Sequence, residues 1–332
     1  MRYFNDILKL IGNTPLVKIN KINPNPEVLM LAKLEKANPA GSVKDRIVIN
    51  MIQHAENEGR LTKDKIIIEA TSGNTGIGLA LISAVKGYRL ELVIPKSMSV
   101  ERRKILTAYG AKITLTPADD GMNGAEDYVK KIVNEDPDKY FYPDQYSNPN
   151  NPQAHYLYTA QEIIEDTDGK IDVFVAGLGT SGTLMGVSKR LKEYNPNIKI
   201  IAVEPLPKQG IQGLKNFEVS YVPKIYDESR IDEKFYVNIE ESEHGSRMLT
   251  LQEGLFCGIS SGAAIKIAID YARKMEKGIM VVVLPDGGEK YINHPIFSPE
   301  RCLECVHRCD LPTLWTDQYI ESIKEWWEQT NK

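Results

Sequence analysis

The stretch KIIIEATSGNTGIGLALISAV, residues 65–85, decides how the chain folds. Its isoleucine run makes Lys65–Ala70 a short strand that is apolar on both faces. The turn TSGNTG (71–76) is too rich in glycine and hydroxyl residues to extend that strand, and from Gly76 to Val85 the apolar residues suit a helix. A strand buried on both sides and followed at once by a helix is the repeating unit of a covered parallel sheet. Such a turn also leaves unpaired backbone N–H groups at the positive end of a helix dipole, which favours an anion.

The alternation continues outward from this unit. Upstream, Val28–Glu35 reads as a strand and Asp45–Asn57 as a helix. Downstream come strand Leu90–Pro95, helix Ser99–Tyr109, strand Lys112–Thr116 and helix Asn123–Val133. The passage YPDQYSNPNNP (142–152) is the expected domain boundary. After it the pattern resumes with helix 153–166, strand Asp172–Ala176, helix Gly182–Tyr194, strand Ile198–Val203, helix Ala263–Lys274 and strand Ile279–Leu284. The predicted class is α/β with mainly parallel sheets.

Composition narrows the function. The 332 residues are enough for about two domains. A content of 42% hydrophobic and 26% charged residues excludes disorder and a disulfide-stapled mini-fold. The net charge of -4 leaves no basic excess for a general nucleic-acid binder. No apolar run approaches the roughly 20 residues that cross a bilayer. The start, MRYFNDILKLIGNTPL, carries charges where a signal peptide is apolar, so a cytoplasmic protein without membrane contact is expected.

A second anion turn, GLGTSGT (177–183), follows another buried strand. Gly177, Gly179 and Gly182 match G-x-G-x-x-G, and Glu204 ends the next strand, as in a nicotinamide-dependent oxidoreductase. The hydroxyls of Thr180, Ser181 and Thr183 suit instead a terminal phosphate monoester. A plain tight turn is the third reading. The run GISSG (258–262) fits a hydrolase nucleophile elbow, but Leu255–Cys257 makes a poor strand and no oxyanion-loop motif is evident.

Cys302, Cys305 and Cys309, with His307 among them, have the spacing of a zinc site or of a reduced surface segment. Cys257 reads as core, and His54, His155 and His244 as ordinary surface or core residues. Tyr319, Ile323, Trp326 and Trp327 share one face of an amphipathic helix, 316–329, expected to dock on the body or on a second subunit.

Taken together, IGNTPL (11–16), NPAGSVKDR (38–46), TSGNTG (71–76), QYSNPNNP (145–152), GTSGT (179–183) and GISSGA (258–263) occur in the order found in the cysteine synthase family. The chain resembles this family up to about residue 295. GLKNFEVSYVPKIYD (213–227) and EGLFCGISSG (253–262) are most similar to the cysteine synthase B branch. The resemblance implies pyridoxal 5′-phosphate as cofactor, bound between two α/β domains of the fold shared with the tryptophan synthase β chain. The larger domain would combine 1–35 with 151–295. The smaller, 36–150, would move over the substrate, and 296–332 would form an extension. The family is usually homodimeric.

Roles follow residue by residue from the same resemblance. Lys44 corresponds to the lysine that captures the cofactor aldehyde and then acts as general base. Gly179, Thr180, Ser181, Gly182 and Thr183 would hold the phosphate, and Asn74 the pyridoxal 3′-oxygen. Thr71, Ser72, Gly73, Thr75 and Gln145 would cradle the substrate carboxylate, with Gly213 and Lys215 beside them. Lys215 stands where some relatives carry an arginine for the phosphate of O-phosphoserine. Ser260 would face the pyridine nitrogen with a neutral hydroxyl, leaving the ring a weaker electron sink than a carboxylate would.

The implied reaction is β-replacement through an α-aminoacrylate, converting O-acetylserine or O-phosphoserine and sulfide into cysteine. The alternative consumes cysteine, adding water or a thiol to give serine or a thioether with release of hydrogen sulfide. Water needs a base, and Asp232 in DESRIDE (227–233) is the candidate.

Overall fold

The computed structural model describes residues 1, 3–71, 73–98, 100–297 and 317–330. It contains two sheets. A short strand β1 (Leu16–Lys18) and β2 (Val28–Leu34) precede helix α1 (Lys44–Asn57). The quoted stretch forms β3 (Ile66–Ala70) and α2 (Asn74–Lys86), followed by β4 (Arg89–Pro95), α3 (Val100–Ala108), β5 (Lys112–Thr116), α4 (Gly121–Glu135) and β6 (Tyr140–Phe141). One nearly continuous helical segment comes next, comprising α5 (Asn150–Ala154), a π turn over His155–Thr159 and α6 (Ala160–Asp166). The chain then runs through β7 (Val173–Gly177), α7 (Gly182–Tyr194), β8 (Lys199–Pro205), β9 (Glu233–Val237), α8 (Ile239–Glu253), α9 (Ile259–Ala272) and β10 (Gly278–Leu284), with α10 (Asp317–Thr330) at the end.

The six-stranded sheet has the order β1-β2-β10-β7-β8-β9, and the four-stranded sheet β5-β4-β3-β6. Every described pairing is parallel except that of β1 with β2. Alternation along the strands separates the cores. In β7, Val173 and Val175 pack with α9 on one face, while Phe174 and Ala176 pack with α6 and α7 on the other. In β3, Ile67 faces α1 and α2, and Ile68 faces Ala125 and Val129 of α4. Gly87 ends α2 in the left-handed conformation (φ +71°) that a side chain resists.

Parallel sheets collect the C-terminal ends of their strands, and the helix starts that follow, along one edge. Here α2, α7 and α9 begin at that edge, each without a side-chain cap on its first turn. Four elements were not expected from the sequence: the short strands β1 and β6, then β9 and α8. β9 is half-exposed, and α8 is a mostly polar helix opened by a capping box between Asn238 and Glu241. The C-terminal helix forms over Asp317–Thr330 with Trp326 exposed. The Cys302, Cys305 and Cys309 group and His307 lie outside the described residues, as does Ser72.

Candidate active site

A cavity of about 390 Å³ opens where the two sheets' C-terminal edges face one another. Lys44, the first residue of α1, lies on its wall. Thr71 and Gly73 come from the turn before α2, Asn74 and Thr75 from its first turn, Gln145 from the 142–152 passage, and Gly213 and Lys215 from the loop after β8. The carboxamide of Gln145 is oriented by Thr75, whose Oγ1 donates to Oε1 at 2.7 Å, which turns the amide N–H groups elsewhere.

A smaller space of about 40 Å³ adjoins this cavity, sharing Lys44, Gly179, Thr180, Gly213 and Leu214 with it. Ser181, Gly182 and Thr183 line it at the start of α7, and Ser260 lines it at the start of α9. Ser181 is a non-glycine residue at φ +69°, a costly conformation that this turn enforces. Its buried hydroxyl has no partner among the described residues. A Cβ on Gly179 would collide with the Gly213 carbonyl, and one on Gly182 with Asn151 Oδ1. The turn is thus shaped by glycine and keeps hydroxyl and amide donors for an anion. Asn151 ties the second anion turn to the 142–152 passage, its Nδ2 donating to the Gln145 carbonyl (2.7 Å) and to Thr180 Oγ1 (3.1 Å).

His155 is core, as expected, yet it also backs the second turn. Its ring nitrogens meet Thr159 Oγ1 at 3.0 Å and Thr183 Oγ1 at 3.3 Å, and burial pushes its pKa well below the ordinary range. Burial likewise lowers the pKa of Lys44, opposed mainly by the carboxylate of Asp286. Lys215 has its ammonium 4.1 Å from the centre of the Tyr146 ring, and burial lowers its pKa against the opposing charge of Glu126. Lys44, Arg102, Lys215 and Lys290 line the cavity against the single acid Glu126 among the described residues. A chain of net negative charge thus gathers an excess of basic side chains at this cleft.

Asp232 is not brought to this cleft. β8 and β9 run parallel, and Asp232 lies just before β9, at the opposite end of the strands from the cavity. There it accepts from the Ile200 N–H at 2.8 Å and pairs with Lys192 at 2.8 Å. Its neighbours are engaged as well. Asp227 pairs with Arg230, Glu228 with Lys234, and Glu233 accepts from the Tyr271 hydroxyl. The nicotinamide reading of Glu204 also fails on placement, because its buried carboxylate accepts from the Phe217 N–H at 3.1 Å and lies 3.5 Å from Lys234. The GISSG run is the first turn of α9, entered through an isolated bridge between Cys257 and Gly287 rather than from a strand.

The run PDGGEKY (285–291), which motif reading does not single out, supplies three further residues. Asp286, Lys290 and Tyr291 follow β10 as the anion turns follow β3 and β7. Asn74 Nδ2 donates to Asp286 Oδ2 at 2.7 Å, and the Tyr291 hydroxyl donates to the same oxygen at 2.6 Å. The signal was a loop of mixed charge at the end of an apolar strand.

The family described as "Pyridoxal-phosphate dependent enzyme" matches residues 7–286. A cysteine synthase of Aquifex aeolicus is 48% identical over 88% of this chain and 92% of its own length. A cysteine synthase B of Pseudomonas aeruginosa is 41% identical over 88% of this chain and 97% of its own. The crystal structure of a cysteine synthase from Entamoeba histolytica superposes with a TM-score of 0.85 at 41% identity, covering 89% of this chain and 91% of that one. The uncapped start of α7, with its unpartnered serine hydroxyl and glycine-shaped wall, fits the phosphate of that cofactor, and Lys44 beside it fits the aldehyde. The chain belongs to the cysteine synthase family of pyridoxal-phosphate-dependent enzymes.

Proposed function

We propose that the protein makes L-cysteine by replacing the β-oxygen substituent of an activated serine, O-acetylserine or O-phosphoserine, with sulfide. The observation that carries this reading is the convergence of two uncapped helix starts on one cavity around Lys44, with a place for a cofactor phosphate and a second for a substrate carboxylate.

Bound pyridoxal phosphate supplies an electron sink that acidifies the Cα proton of an amino acid. Gly179, Thr180, Ser181, Gly182 and Thr183 hold its phosphate, Asn74 its 3′-oxygen and Ser260 its ring nitrogen. Thr71, Ser72, Gly73, Thr75 and Gln145 take the substrate carboxylate, fixing which bond of Cα faces Lys44. Burial favours the neutral amine of Lys44, so this residue both binds the aldehyde and accepts the Cα proton. Lys215, next to Gly213 in the cavity wall, offers its charge to the departing acetate or phosphate. The C–O bond at Cβ breaks, a C–S bond to bisulfide replaces it, acetate or phosphate leaves, and the proton held by Lys44 returns to Cα. The reverse use of cysteine with water loses its expected base, because Asp232 lies away from the cleft.

On this reading the partners are an amino acid and sulfide, and the enzyme works as a homodimer in the cytoplasm. No described helix is long and apolar enough to cross a membrane. The test incubates the cofactor-loaded protein with acetylserine, phosphoserine and cysteine in turn, with and without sulfide, and measures cysteine, serine and hydrogen sulfide. Cysteine formed from either activated serine supports the proposal. Hydrogen sulfide and serine from cysteine, with no synthesis from the activated serines, contradicts it.

A further inference from the structure

Asn74 is held at both ends of its carboxamide. Nδ2 donates to Asp286 Oδ2 at 2.7 Å, and Oδ1 accepts from Lys290 Nζ at 2.8 Å. Lys290 is itself fixed by donating to the Gly41 carbonyl at 3.0 Å, and Asp286 by the Tyr291 hydroxyl at 2.6 Å. Asp286 is only 1% exposed, and its second oxygen, Oδ1, is buried without a partner among the described residues. Room for that oxygen exists because residue 258 is glycine, since a Cβ there would collide with it. A carboxylate has thus been built into the wall behind Asn74 at some cost in desolvation.

A free asparagine can present either its oxygen or its nitrogen to a ligand. Here the choice is made by chemistry, because a carboxylate oxygen accepts the bonds it makes here and an ammonium only donates. The one arrangement that satisfies both neighbours puts Nδ2 on Asp286 and Oδ1 on Lys290. The second hydrogen on Nδ2 is not taken by Asp286 and is shared between the Tyr291 hydroxyl and a group in the cavity, and the ammonium on Oδ1 draws electron density from the amide and makes that hydrogen a stronger donor. We infer that Asp286, with Lys290, is a positioning residue that locks Asn74 as a hydrogen-bond donor toward the 3′-oxygen of the cofactor and so favours the ionised form of that oxygen. The inference rests on the proposed placement of the cofactor, with Asn74 at its 3′-oxygen.

The absorption of the loaded protein reads this directly, because ionisation of the ring oxygen places the band in the visible and its protonation moves it to the near ultraviolet. Asp286→Asn removes the obligate acceptor behind Nδ2, and Lys290→Met removes the donor on Oδ1. Each variant is expected to lower the ratio of visible to near-ultraviolet absorbance by about two- to tenfold, the worth of one hydrogen bond. Borohydride reduction and peptide mapping show in parallel how much cofactor each variant carries on Lys44. Should Asp286→Asn fail to fold, Lys290→Met carries the same expectation. The parent's spectrum retained in fully loaded Lys290→Met, or in both variants, overturns the inference alone. A parent protein that captures no cofactor at Lys44 overturns the proposed function and this inference with it.

Discussion

Ser260 is buried and reaches the small space beside the second anion turn, and on the proposed placement of the cofactor it offers a neutral hydroxyl where a carboxylate would make the ring a deeper electron sink. Ser260→Asp should therefore change the products formed from acetylserine more than it changes cofactor affinity. Product analysis beside a cofactor titration checks this, and full turnover with an unchanged product distribution would count against it. Lys215 keeps a charge at the cavity wall but lacks the bidentate fork of arginine. Lys215→Ala should slow phosphoserine turnover about tenfold more than acetylserine turnover, in line with the loss of one charged hydrogen bond. Equal losses on both substrates would remove Lys215 from leaving-group recognition. At this scale the motifs made Lys44, Asn74 and the two hydroxyl-rich turns legible, because each is contiguous in the chain. Asp286, Lys290 and Asn151 were not legible, since their roles come from contacts made across the cleft. Asp232 was misread because closeness in sequence to a substrate-facing loop does not say at which end of a parallel strand a residue lies.

Helix α7 shows how an element serves the site through its start. The strained turn at Ser181 and the glycines at 179 and 182 bring backbone amides to the cavity, and Asn151 presses against Gly182 from behind. Gly182→Ala must displace Asn151 from Thr180 and from the Gln145 carbonyl. It should cost about 1–3 kcal/mol of stability, as overpacking does, and weaken cofactor binding at least as much. Denaturant unfolding of the apoprotein and equilibrium dialysis of the cofactor measure the two effects separately. A variant with unaltered cofactor affinity would contradict this role for the turn. Most elements were readable because buried parallel strands are apolar throughout and their helices are amphipathic. β9 and α8 escaped because their span, EKFYV to IEESEHGSRMLTLQE, is mostly polar and packs through few apolar side chains. α9 starts four residues earlier than expected, since Gly258 opens it and the serines 260 and 261 belong to its first turn.

Across the whole molecule, a buried ionic group ties the base-bearing helix to the larger sheet. Arg46, two residues after Lys44, pairs with Glu35 at the end of β2 (2.7 Å) and with Glu162 of α6 (2.6 Å). Lys33 joins Glu162 at 2.9 Å and donates to the Thr14 carbonyl at 2.6 Å. Burial alone would raise the pKa of Glu162, but Arg46 and Lys33 outweigh it and hold it at about 2. A carboxylate depressed in the folded state adds stability above the unfolded pKa of about 4.3. That contribution is lost as the pH falls from there toward about 2. Arg46→Met leaves the buried Glu35 without its cation and Glu162 with Lys33 alone, so it should cost about 3–5 kcal/mol at neutral pH and flatten the loss of stability between pH 4 and about 2. Urea unfolding across that range tests both, and a variant as stable as the parent at pH 7 would refute the role of the group.

On the proposed function, one amine, that of Lys44 at the start of α1, carries the cofactor. Reducing the loaded protein with borohydride, digesting it and sequencing the labelled peptide tests this most directly. The expected result is one pyridoxyl group on Lys44 in the NPAGSVKDR segment, with no labelled peptide from Lys44→Ala. A label on Lys215, Lys290 or any other lysine, or no label at all, would contradict it.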